Sequence, residues 1–64
     1  MPNTNLEITQ KAIEDFAKVQ KNMILAKEEN AIKTYANLKD EYISLKAILN
    51  VAGVNLSELD KIKE

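Results

Sequence analysis

Nucleophilic catalysis requires an activated Ser, Thr, Cys or Lys beside a base, most often His. This chain contains neither His nor Cys. Its two serines, Ser44 and Ser57, have no motif around them; Ser44 reads as a helix-surface residue and Ser57 as part of a helix first turn. The carboxylates come mainly as sequence neighbours, Glu14-Asp15, Glu28-Glu29 and Asp40-Glu41. Adjacent residues on a helix point about 100° apart, so these pairs do not converge on a metal or a shared proton. The acidic pair at four-residue spacing, Asp60 and Glu64, falls in the last turn of the chain, where a helix frays. Tight Ca²⁺ or Mg²⁺ binding needs several oxygen ligands held together, and no loop of that kind is present. The usual zinc ligands are missing and disulfides are excluded. The sequence therefore points away from an enzyme, and no cofactor, metal or small-molecule substrate is expected.

The cations restrict the partners further. All nine are Lys, set against ten acids for a net charge of −1, with the signs interspersed along the chain. Without Arg there is no planar bidentate fork for phosphate or guanine, and without excess charge there is no basic patch to attract a polyanion. The start, Met1-Pro2-Asn3-Thr4-Asn5, has no basic cluster followed by an apolar core, so it does not read as a secretory signal. No apolar stretch approaches the roughly 20 residues of a membrane-spanning helix. A cytoplasmic protein is expected, and the Lys-, Asn- and Ile-rich, Arg-free composition suits an AT-rich, bacterial or mobile-element genome.

The elements that carry these residues read as helices. One Gly, one Pro and long runs of Ala, Leu, Ile, Lys and Glu favour an all-α fold in a single small domain spanning 1–64. Thr4 followed by Glu7 forms a capping-box signal, predicting a first helix over about 5–28. Leu6, Ala12, Ile13, Phe16, Ala17, Val19, Met23, Ile24 and Ala26 fall on one broad arc of it, opposite Glu7, Lys11, Glu14 and Lys18. A second helix is predicted over about 31–52. Along it Tyr35, Leu38, Tyr42, Leu45, Leu49 and Ala52 alternate spacings of three and four, as coiled-coil seam positions do. Ile32, Ala36, Ile43 and Ala47 make a second apolar stripe, and a helix with two stripes has neighbours on two sides. Gly53 suits a helix stop. Asn55 with Glu58 three residues on suits a fresh start, predicting a short C-terminal helix over about 56–63 that presents Leu56, Leu59 and Ile62.

Lys27-Glu28-Glu29-Asn30 leaves two architectures open. Four polar residues with an Asn able to turn left-handed favour an antiparallel hairpin. The absence of Gly or Pro there, and the Glu29/Lys33 pair across the junction, favour one long helix over 5–52 in a coiled-coil dimer. That seam would include Gln20 and Lys27, at a cost in stability, which tilts the reading toward the hairpin. Leu56-Ser57-Glu58-Leu59-Asp60 resembles the Ser-x-x-Leu-Asp motif of the small sporulation-control aspartyl-phosphate phosphatases. A single residue separates Ser57 from Leu59, however, so no activity is carried over.

The functional expectation is a non-enzymatic protein-protein interaction module, an adaptor or regulator, acting through an apolar helix face on itself, as a homodimer, or on another protein. The candidate face is Tyr35, Leu38, Tyr42 and Leu45 with Ile32 and Ile43, since Tyr is enriched in interfaces. The alternative is a small nucleic-acid-associated regulator using the C-terminal helix, which carries Glu58, Asp60 and Glu64 against Lys61 and Lys63 and so repels phosphate.

Overall fold

The computed structural model describes residues 2–63, with side chains from Leu6 onward. Two helices, α1 (Pro2–Glu28) and α2 (Ile32–Val51), lie against each other as a hairpin. The molecule measures 43 × 20 × 14 Å, and its long axis matches the roughly 40 Å that 27 helical residues span at 1.5 Å each. The hairpin is the architecture realised, and the continuous 5–52 helix is excluded by the break at 29–31.

That break is a helix stop built on Asn30, whose φ is +58°. The Asn30 N–H donates to Lys27 O and the Ala31 N–H to Ala26 O, the paired bonds of a Schellman motif. Asn replaces the usual Gly because its short polar side chain tolerates the left-handed conformation. α2 then starts on Ala31, with no side-chain cap. The same motif closes α2: Gly53 has φ +80°, its N–H donates to Asn50 O, and the Val54 N–H donates to Leu49 O.

α1 begins at Pro2, earlier than the capping-box signal at Thr4 implies. Proline at a first helical position costs no hydrogen bond and has its φ already set. The Thr4 side chain lies outside the described residues. The core is a single cluster of Ala12, Phe16, Val19 and Met23 from α1 with Tyr42 and Leu49 from α2, flanked by Ile13, Tyr35, Leu38, Leu45, Val54, Leu56, Leu59 and Ile62. The buried arc of α1 is narrower than the sequence suggests. Leu6, Ala17 and Ile24 are exposed, because one antiparallel neighbour covers only one stripe of a helix.

The predicted third helix over 56–63 does not form. Asn55 does start a turn, its Oδ1 accepting from the Ser57 N–H and Ser57 Oγ, and the Asp60 N–H closes one turn onto Leu56 O at 2.8 Å. Continuation would require the N–H groups of Lys61, Ile62 and Lys63 to bond back four residues. They bond instead to the side chains of Gln20 and Asp60. Gln20 from α1 and Asp60 within the strap outcompete the next helical turn as acceptors, and Lys63 takes a φ of +57°. Residues 54–63 are therefore an irregular strap lying across both helices.

Candidate functional site

A two-helix hairpin leaves its seam open along one side, and the strap closes it. Two buried polar side chains hold the strap in place, one from α1 and one from the strap itself. Gln20 interrupts the apolar arc of α1 between Val19 and Met23 and is only 4% exposed. Its Nε2 donates to Leu59 O at 2.8 Å and to Phe16 O at 3.4 Å. Its Oε1 accepts from the N–H of Lys61 at 2.7 Å and of Ile62 at 3.1 Å. One amide side chain thus satisfies three strap backbone groups and one carbonyl of its own helix, which is the full capacity of Gln.

Asp60 is the second anchor, 6% exposed. Its Oδ1 accepts from the Tyr42 hydroxyl at 2.6 Å and from the Lys63 N–H at 2.8 Å. Its Oδ2 lies 2.8 Å from Lys46 Nζ. Burial pushes the Asp60 carboxyl up, but the bonds from Lys46, Tyr42 and the Lys63 backbone together outweigh it, and the group sits below the ordinary carboxylate range. Lys46 is raised, chiefly by its bond to Asp60 and against a smaller desolvation effect. Lys46 Nζ also lies 5.5 Å from the centroid of the Tyr42 ring. The ring itself stacks on Phe16 at 5.4 Å with 12° between planes. Phe16, Tyr42, Asp60 and Lys46 form one continuous stack from core to surface.

This arrangement fixes a segment in place. A general base needs a carboxyl whose affinity for protons lies near the working pH, whereas Asp60 is driven the other way and both its oxygens are already hydrogen-bonded. Among the described residues, no three His, Cys, Asp or Glu side chains converge on a metal position. No helix among them is long and apolar enough to cross a membrane.

The six residues of the candidate interaction face separate into two groups. Tyr42 is fully buried, and Tyr35, Leu38 and Leu45 are half-buried against the core. This stripe is occupied within the chain by α1 and the strap. Ile32 and Ile43, on the second stripe of α2, stand 81% and 51% exposed, with Ala36 and Ala47 exposed between and beyond them. Leu25, on α1, is also exposed. It lines a separate groove of about 550 Å³ with Ile24, Lys21, Gln20, Glu58 and Leu59, between α1 and the strap.

Two functional features escaped the sequence reading. By position Asp60 belongs to a fraying helix end, whereas in the structure its two oxygens are held by Tyr42, Lys46 and the Lys63 N–H. Gln20 registered only as an unfavourable seam position. A buried Gln between apolar neighbours was the available signal, since such a group is retained only where partners satisfy it. The helix on which the nucleic-acid reading depended is the segment that forms the strap. Comparison gives no further guide: no family model, curated protein or solved structure matches the chain.

Proposed function

We propose that the protein is a non-enzymatic interaction module that associates with a second copy through the outer stripe of α2. The observation that carries this reading is the exposure of Ile32 and Ile43 on the same side of a helix whose other stripe is already used. The two are eleven positions apart, a separation that returns to within about 20° of the same direction. Ala36 and Ala47 extend the stripe with small side chains, which allow a second helix to approach closely. Full burial of an exposed Ile contributes about 1.5–3 kcal/mol, of which Ile32 and Ile43, 81% and 51% exposed, stand to gain most and about half. Lys33 and Asp40 edge the stripe on one side and supply opposite charges for a polar rim.

Sedimentation equilibrium tests the reading. Self-association is expected at micromolar to millimolar concentration and is expected to be abolished by Ile43→Lys with the helical circular dichroism unchanged. A wild-type chain that remains monomeric to about 1 mM, a limit equivalent to roughly 4 kcal/mol of binding, removes it.

A further inference from the structure

The strap shows what its own groove recognises. Gln20 reads three backbone groups, at residues 59, 61 and 62. Tyr42 and Lys46 read one carboxylate, that of Asp60. Leu56, Leu59 and Ile62 pack on the apolar seam beside them. A backbone clamp, a carboxylate reader and apolar contacts at spacings of three are the parts of a peptide-binding groove, filled here in cis.

The connection to that peptide is a single turn. α2 ends at Val51, and the chain reverses through Gly53 at φ +80°, a conformation that L side chains rarely adopt. The strap beyond it has one turn of local structure and a local bond from the Lys63 N–H to Asp60, and it depends on Gln20 for the bonds of the Lys61 and Ile62 N–H groups and of Leu59 O. A segment with few local bonds belongs to the least stable part of a fold and opens before the helices do.

The geometry points to the groove beneath the strap being a receptor for residues 54–63 of a second copy, so that two chains exchange straps when the turn at Gly53 opens. Every contact made in cis is recreated in trans, with Tyr42 and Lys46 of one chain meeting the aspartate of the other. Only the turn differs between the two states, which is the condition under which exchange of an element between protomers costs little. The inference is independent of the α2 outer stripe, since its contacts are made by Tyr42 and Lys46 and not by Ile32 or Ile43.

In cis the strap has an effective concentration in the millimolar range or above, as any short tether gives, so the test first weakens the cis copy. Full-length protein carrying Asp60→Asn is titrated with a fluorescent peptide of the sequence of residues 54–64. The variant is expected to take up this peptide at least tenfold more tightly than wild-type protein does. It is also expected to prefer it at least tenfold over the same peptide carrying Asp60→Asn. Full-length Leu59→Ser, which loosens the strap through an apolar contact, gives the same comparison should the first variant not fold. Failure of both folded variants to take up the wild-type peptide, or equal uptake of the two peptides, overturns the inference.

A second arm opens the turn. A Cβ at Gly53 meets nothing within 4 Å, so Gly53→Ala acts through backbone conformation alone. An exchanged dimer relieves two such turns, and the dimerisation constant is expected to rise by roughly tenfold or more. An unchanged constant overturns strap exchange. Ile43→Lys is expected to leave peptide uptake intact, which separates this inference from the proposed outer-face association.

Discussion

The Tyr42 hydroxyl donates to Asp60 Oδ1 at 2.6 Å, linking the middle of α2 to the strap. Tyr42→Phe removes this bond and keeps the stack on Phe16. Hydrogen bonds to charged groups contribute about 1.5–3 kcal/mol, and a loss of that size is expected in urea unfolding. Phe16→Ala removes the stack itself and costs about 3–5 kcal/mol. A chain of this length has roughly 3–10 kcal/mol in total at ordinary values per residue, so the second variant is expected to lose about half of its stability or more, read as a urea midpoint at or below about half the wild-type value.

Asp60 adds an acid-sensitive contribution to stability. Its folded-state carboxyl is lowered from 3.8, so the unfolded chain binds the proton more readily than the folded one. The stabilisation from this group is therefore complete above the unfolded value and is lost as pH falls through the lower folded value. The urea midpoint of the wild-type chain is expected to fall below about pH 4. In Asp60→Asn this group's contribution to the decline is expected to disappear, with a lower midpoint at neutral pH. Lys46 has the opposite sign. It is raised from 10.5, so its contribution is complete below that value and is lost as pH rises through the folded one.

Gln20→Ala tests the clamp. Three strap groups lose their partner, and each buried polar group left unsatisfied costs about 1–3 kcal/mol unless the strap lifts into water. Lifting is the cheaper outcome. Amide hydrogen exchange at Lys61 and Ile62 is expected to become fast while the central amides of α1 and α2 stay protected.

Asn30 tests the turn. An L residue without a short polar side chain pays about 1–2 kcal/mol in the left-handed conformation, so Asn30→Ala is expected to lower stability by about 1 kcal/mol. Asn30→Gly is expected to be neutral or slightly stabilising in thermal unfolding. The wild-type chain already places its most suitable non-glycine residue there.

These residues also show how much of the fold was legible in the sequence. The hairpin could be read because a stop signal is local: Asn30 and Gly53 carry their meaning in their own φ. The core stripe through Tyr35, Leu38, Tyr42, Leu45 and Leu49 could be read from helical period. What covers that stripe was not legible, because α1 and the strap reach it through the chain's return path and not through spacing. The short helix expected over about 56–63 fails to form for a related reason. Asn55 and Glu58 specify how a helix starts, whereas its continuation was decided by Gln20, about forty positions earlier.

The reach of Gln20 also imposes an order on folding. Its partners lie 39, 41 and 42 positions away, and closing so long a loop directly is entropically costly. Once the helices have paired, the remaining search is short. The hairpin is therefore expected to assemble first and the strap to dock last, on the native side of the rate-limiting barrier. Stopped-flow measurements on Gln20→Ala should show unfolding accelerated and refolding nearly unchanged. Gln20 then controls how long the folded chain survives, with little influence on how quickly it forms.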